Sequence, residues 1–158
     1  MILLIGQKSQ RGDMGQYIRV QSSKFAVLPG EAEELVNDGL YGKALAEYLV
    51  EKLRLRGYDV PFLCCEDWGW WVELHGFPFA FGVCIYGTQL EDGQIDLYVT
   101  DGAAAARQWS WRRFRFVSTG QAAEQLHRDL LAIFTADPDV QLLGDNLDSP
   151  FADDHPAA

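Results

Sequence analysis

Two stretches of the chain carry apolar residues at the three- and four-residue spacing that is typical of amphipathic helices. The first begins at Asp38 or Gly39 and ends at Gly57, and the second covers about residues 121–136. The apolar stripe of the first stretch consists of Leu40, Tyr41, Ala44, Leu45, Tyr48, Leu49 and Leu53. Gly57 is suited to the left-handed position that commonly ends a helix. We therefore predict two helices, each with one buried side.

Between these helices, apolar and polar residues alternate with the two-residue period of β-strands. The pattern predicts a hairpin that turns at His75-Gly76, and a further strand in which Ile95 pairs with Ile85. The hairpin register places four apolar pairs on one side, which we assign to the core: Leu74 with Phe77, Val72 with Phe79, Trp70 with Phe81 and Trp68 with Val83. A slip of one residue would reverse this division of the two sides.

A fourth strand is predicted over Trp109–Val117. Shorter strands are predicted at Tyr17–Val20, Lys24–Leu28, Tyr58–Cys64 and Val140–Leu143. We expect an α+β fold: a two-layer sandwich in which an antiparallel meander of four or more strands carries two helices on one face. Residues 1–144 form a single domain in this interpretation, with Met14 as an alternative start. Residues 145–158 carry four aspartates and are expected to be a disordered tail.

The same alternation places aromatic and charged residues on the face of the sheet that the helices leave open. The predicted set on this face is Trp71, Glu73, Asp96, Tyr98, Trp109, Trp111, Arg113 and Arg115. Tryptophan, tyrosine and arginine are the residue types enriched in the parts of protein interfaces that dominate binding energy. The sequence therefore predicts a protein-binding face. In the alternative interpretation, another segment, such as residues 17–28, covers this face and its tryptophans belong to the core.

The charge distribution narrows the choice of partner. The chain has a net charge of −10, and none of its thirteen Lys and Arg residues lies between Gly57 and Ala106, where eight acidic residues lie. Such a chain is poorly suited to bind nucleic acids or anionic membranes, whose phosphates attract clustered cations. An acidic protein is instead compatible with a basic protein partner. Self-association through the same face is the other expected mode.

Cysteine content and the N-terminus indicate the compartment. Cys64, Cys65 and Cys84 are an odd number, and two of them are adjacent, which favours a reducing environment over a disulfide framework. The apolar run Met1–Ile5 is too short for a signal peptide. We therefore expect a cytoplasmic protein.

Candidate catalytic and metal-binding groups are few. Glu66 and Asp67 precede Trp68, and with it they define an alternative site, a pocket of a small-ligand sensor or a hydrolase. Adjacent carboxylates on an extended chain point apart, however, so they are poorly placed to share a proton. The three cysteines and His75 lack the spacing of a metal site. We predict no cofactor, no metal and a non-enzymatic role.

Three segments carry a resemblance to known sequences. They are residues 23–31, the run Gly39-Leu40-Tyr41-Gly42-Lys43-Ala44-Leu45, and the run Glu66-Asp67-Trp68-Gly69-Trp70. Together they resemble a group of small bacterial proteins with no established activity, so the resemblance implies a bacterial origin and no reaction. In size and acidity the chain is also similar in general character to toxin-immunity proteins.

Overall fold

A computed structural model describes residues 17–90, 95–100, 107–110 and 115–147. Eight strands are present in these residues: β1 (Tyr17–Gln21), β2 (Leu63–Glu66), β3 (Gly69–Leu74), β4 (Phe81–Gln89), β5 (Ile95–Thr100), β6 (Arg107–Ser110), β7 (Arg115–Ser118) and β8 (Gln141–Leu147). The helices are α1 (Glu31–Glu34), α2 (Lys43–Leu55) and α3 (Gly120–Ala136), and a short 3₁₀ turn covers Ser23–Phe25. The predicted α+β class is confirmed.

Six strands form one antiparallel sheet in the order β2-β3-β4-β5-β1-β8. One face of this sheet packs against the helices, and we call it the inner face. Its buried side chains alternate along each strand, as in Trp70, Val72 and Leu74 of β3. They join one core with the apolar stripes of α2 and α3, represented by Leu49 and Leu130. The prediction of two helices on one face is therefore confirmed.

The start of α2 shows how the helix layer is fixed to the sheet. The helix begins at Lys43 rather than at the predicted Asp38 or Gly39. Gly42 precedes it with a φ of 155°, and a Cβ there would lie 2.9 Å from Cγ2 of Ile85. The buried Glu31 carboxylate accepts hydrogen bonds from the backbone N–H groups of Gly42 and Lys43, at 2.8 and 2.9 Å. Glu31 thus caps α2 from a separate segment, which local periodicity does not reveal.

The predicted pairs within the meander are wrong by four residues. Leu74 pairs with Phe81 instead of Phe77, and Ile85 pairs with Val99 instead of Ile95. In the first hairpin the cause is the loop over residues 75–80. Pro78 has no N–H for a ladder, and the rings of Phe77, Phe79 and Phe81 pack on one another at centroid distances of 4.8–5.7 Å. Side chains alternate between the two faces with a period of two residues, so a shift by four residues leaves every strand residue on its predicted face.

Trp68 departs from this rule. It lies with Asp67 in the two-residue turn between β2 and β3, since Glu66 pairs with Gly69. The strand alternation ends before this turn, so Trp68 does not face Val83 in the core as predicted. It packs instead on aromatic residues of the opposite face.

The predicted fourth strand of the meander is also wrong. β6 and β7 pair with each other as a separate two-stranded sheet, with Trp109 opposite Phe116. The edge of β5 that this strand was expected to extend is occupied by β1, through the pairs Ile18–Val99 and Val20–Leu97. β1, which precedes β5 by more than 70 residues in the chain, therefore takes the place beside β5 that was predicted for the fourth strand.

Smaller differences concern the remaining segments. The predicted strand at 24–28 is a 3₁₀ turn followed by extended chain, and its Phe25 is buried in the core. The predicted strand at 58–64 begins later, at Leu63, after a single bridge between Asp59 and His75. The final strand β8 continues to Leu147, three residues into the predicted tail. Residues 148–158 lie outside the described part of the chain.

Candidate functional site

The candidate site is the sheet face opposite the helices, which we call the outer face. Strand alternation assigns Trp71 and Glu73 of β3, Tyr86 of β4, Asp96 of β5 and Arg19 of β1 to it. None of these residues belongs to the core cluster that α2 and α3 cover. β1 is part of the sheet, and the following Phe25 enters the core. Residues 17–28, the example given in the alternative interpretation, therefore do not cover the outer face.

Four aromatic side chains form a continuous cluster on this face. Trp68 contacts Trp71 edge-on at a centroid distance of 6.4 Å and packs on Tyr86 at 5.3 Å. Tyr86 in turn contacts Tyr17 at 5.9 Å. All four side chains are half-buried. Each combines a large apolar area with one polar group, the indole N–H or the phenol O–H, and such side chains are common where apolar and wet surroundings meet.

The orientation of Trp71 is fixed by its neighbours. Its ring lies over Gly82, where a Cβ would come within 2.5 Å of the indole. Its Nε1 donates a hydrogen bond to the Glu73 carboxylate, which also lies 3.5 Å from the His75 imidazole. The ring is consequently held along the sheet, and its side-chain freedom is already reduced.

A second polar feature of the outer face is the Arg19–Asp96 pair. The guanidinium donates two hydrogen bonds to the Asp96 carboxylate, from Nε at 2.8 Å and from Nη2 at 3.1 Å. The Asp96 side chain is only 5% exposed and that of Arg19 is 26% exposed. This bidentate geometry joins β1 to β5 and neutralises the arginine within the face.

Three carboxylates near the tryptophans, Glu66, Asp67 and Glu73, form what we call the acidic rim. Glu66 and Asp67 are exposed and Glu73 is half-buried. In the described part of the chain, no Lys or Arg forms an ion pair with any of the three. The acidic rim therefore presents negative charge beside the Trp68–Trp71 contact, and this charge is available to a cationic group from outside.

Cys64 lies on β2 opposite Trp71 and next to the acidic rim. Its Sγ donates a hydrogen bond to Glu66 Oε1 at 3.4 Å. Burial raises the pKa of the Cys64 thiol to about 11, and the hydrogen bond and negative charge of Glu66, with a further contribution from Glu73, act in the same direction. Since the thiolate is the reactive form, this cysteine is a weak nucleophile near neutral pH.

Within residues 17–90, 95–100, 107–110 and 115–147, no group of three or more His, Cys, Asp or Glu side chains is arranged to hold a metal ion. In the same residues, no helix is long and apolar enough to cross a membrane.

The structure brings together part of the predicted site. Trp71, Glu73 and Asp96 lie on the outer face, and Tyr98 occupies a position between Tyr86 and Arg19 in the register. Trp109 and Arg115 lie on the separate β6–β7 hairpin instead of on the main sheet, and Arg115 is exposed. Trp111 and Arg113 lie outside the described residues. Of the predicted pocket residues, Glu66 ends β2 and Asp67 lies in the following turn, both exposed, and Trp68 is in the aromatic cluster.

Three important residues of the outer face were missed: Tyr17, Arg19 and Tyr86. Alternation in Tyr17-Ile18-Arg19-Val20 already separates the two polar-ended side chains from the apolar ones. The sequence pattern does not indicate which strand pairs with β1, because β1 and β5 lie about 80 residues apart in the chain. Tyr86 lies at the next outward position after Cys84 on β4, and extending the hairpin alternation would have identified it.

The chain has no significant match to any protein-family model, curated protein sequence or solved structure.

Proposed function

We propose that this protein is a bacterial cytoplasmic protein-binding module that uses the outer face to bind a basic protein partner without catalysing a reaction. The observation that carries the proposal is the juxtaposition of the four-residue aromatic cluster with the acidic rim. The aromatic rings supply apolar contact area, and the carboxylates of the acidic rim, which form no ion pair with a described Lys or Arg, supply charge for recognition.

A lysine or arginine side chain of the partner would find two complementary groups at this place. The indole faces attract cations, and Glu66 and Asp67 offer carboxylate oxygens at the solvent boundary. The only described arginine of the outer face of the main sheet, Arg19, is already paired with Asp96 and adds little repulsion. Local charge and overall charge therefore favour the same class of partner.

The net charge of −10 strengthens the proposal at longer range. A field of one sign accelerates encounter with an oppositely charged protein, and salt weakens this effect. The specific form of the proposal is an immunity-like role, in which the acidic surface would neutralise a basic toxin.

A binding role is better supported than the small-ligand or hydrolase alternative. The Glu66 and Asp67 side chains are exposed, whereas a carboxylic acid that transfers protons near neutral pH usually has apolar surroundings. The nearby Cys64 is held in its thiol form, as its raised pKa indicates. No observation on the described residues favours catalysis at this place.

Site-specific photo-crosslinking in the native host tests the proposal. A benzophenone amino acid replaces Glu66 on the outer face, and a matched variant carries it at the exposed Glu47 of α2. We expect the Glu66 position to give an adduct with one basic protein, identified by mass spectrometry, and the Glu47 position to give none.

Equal adducts from both positions, or none from position 66, would contradict a partner on the outer face. An adduct with a second copy of the chain would replace the basic partner by self-association. A complex that forms equally well at high salt would contradict the electrostatic part of the proposal.

A further inference from the structure

A groove of about 450 Å³ lies on the helix side of the molecule, away from the outer face. It is formed by one side of α2, the C-terminal end of α3 and the turn over residues 137–139. Its volume falls in the range of about 300–1,000 Å³ that is usual for small-molecule sites. The groove therefore has room for a small ligand.

The Lys and Arg side chains that line the groove differ in whether they form ion pairs with described carboxylates. The Lys24 Nζ lies 2.8 Å from Oδ2 of Asp137 and 3.3 Å from Oδ2 of Asp139. The Arg56 Nη1 lies 3.2 Å from Oδ1 of Asp129. Lys52 also lines the groove, but it has no carboxylate within 4 Å among the described residues. Its ammonium group lies 5.5 Å from the ring centroid of Tyr48. One half-buried cation of this acidic protein thus lines the groove without an ion pair to any described carboxylate.

Apolar side chains line the groove beside this cation. Leu55 is 75% exposed, and Ile133 and Pro138 also contribute to the lining. The Tyr48 ring is held in place because its hydroxyl donates to Asp137 at 2.9 Å and its ring stacks on Phe134. A fixed aromatic ring, an apolar wall and an unpaired cation are together complementary to an anion with an apolar body.

We infer that this groove binds a small amphiphilic anion, with its carboxylate or phosphate head at Lys52 and its apolar body against Leu55 and Ile133. Arg56, one helical turn from Lys52, has further guanidinium N–H groups that can share the head group. This site is independent of the proposed partner on the outer face.

Calorimetric titration with four probes tests the inference. Octanoate and octyl phosphate carry both head and body, acetate lacks the body, and octylamine reverses the charge. We expect saturable one-to-one binding of octanoate or octyl phosphate at concentrations below their micellar range, and none of acetate or octylamine. The comparison of the two eight-carbon anions identifies the preferred head group.

Two variants locate the binding. Lys52→Gln should weaken binding of the anion by about tenfold, because a charge-assisted contact is lost. Arg128→Gln removes the same charge at an exposed position that does not line the groove, and it should bind like the parent protein. Leu55→Ser should weaken binding severalfold and leave unfolding unchanged. The inference is overturned if neither anion saturates, if octylamine binds equally well, or if the Lys52 and Arg128 variants have the same affinity.

Discussion

Trp70 and Trp71 are adjacent in sequence, yet they illustrate the two faces of the sheet. Trp70 is 2% exposed and packs in the core below α2, with Lys43 above its ring at 6.0 Å. Trp71 is half-buried on the outer face, where Glu73 and Gly82 fix its ring. The same residue type is thus buried in the core on one side and partly accessible to solvent on the other.

This comparison shows that different kinds of interaction define the two faces of the sheet. The inner face is a hydrophobic surface whose burial drives folding, and its members are largely interchangeable apolar groups. The outer face depends on particular polar atoms, such as the Trp71 Nε1 and the carboxylates of the acidic rim. Substitutions should therefore separate stability from binding according to the face on which they lie.

The largest expected difference is between the two tryptophans. Trp70→Ala should lower the free energy of unfolding by about 3–5 kcal/mol, because it opens a large cavity in the core. Trp71→Ala should cost about 1 kcal/mol, since its ring is half-exposed. Urea unfolding measures both. Equal losses would show that the outer face is as essential to folding as the inner face.

Trp70→Phe sharpens this comparison. In the described residues the buried Trp70 Nε1 has no hydrogen-bond partner, so phenylalanine removes no satisfied polar contact. We expect it to recover more than half of the stability that Trp70→Ala loses. Failure to recover it would mean that the indole shape is required.

A smaller difference is expected between buried and exposed glutamates. Glu31 is 1% exposed and accepts three backbone hydrogen bonds, including one from Leu28 at 3.0 Å. Glu31→Ala should lower the free energy of unfolding by about 2–4 kcal/mol, because it leaves buried N–H groups unsatisfied. Glu66→Ala in the acidic rim and Glu33→Ala in α1, both exposed, should change it by less than about 0.5 kcal/mol. Thermal or urea unfolding of the three variants provides the measurement.

The fold was largely predictable because the inner face determines it. Apolar alternation along β3 and β4 assigned each strand residue correctly to a face, although the pairing was four residues away from the observed one. The register depends on the loop over residues 75–80, whose phenylalanines pack on one another in a way that no local pattern specifies.

The outer face was less predictable, since its composition depends on which distant strands meet. Tyr17 and Arg19 reach it only because β1 pairs with β5. Trp109 and Arg115 were expected there but lie on a separate hairpin. Long-range strand pairing is governed by tertiary packing, which sequence periodicity does not encode.

The pH dependence of stability should reflect the helix side of the molecule. The ammonium group of Lys24 and the N–H of Asp139 hold the pKa of Asp137 at about 2, below its ordinary 3.8. Because the folded-state pKa is lower, the stabilisation is complete well above pH 3.8 and is lost as the pH falls towards 2. Asp137→Asn should flatten the acid limb of the stability curve between about pH 5 and pH 2 more than Asp139→Asn does. An identical acid limb in both variants would contradict this assignment.

The smallest expected effect concerns Cys64 on the outer face and involves no loss of stability. Its alkylation by iodoacetamide should rise with a midpoint near pH 11, as followed by mass spectrometry of the peptide that contains it. Glu66→Gln should lower this midpoint only partly, since burial is the larger cause. A midpoint unchanged by Glu66→Gln would show that the acidic rim does not act on the thiol.

The central claim is that a basic partner binds to the outer face. Charge reversal on the two sides of the molecule tests it most directly. Glu66→Lys and Glu47→Lys alter the net charge equally, but only Glu66 lies in the acidic rim. With the partner captured at position 66, we predict that Glu66→Lys weakens binding by about tenfold or more and that Glu47→Lys changes it by less than about threefold. Equal weakening by both variants would mean that only overall charge matters, and it would contradict a binding site on the outer face.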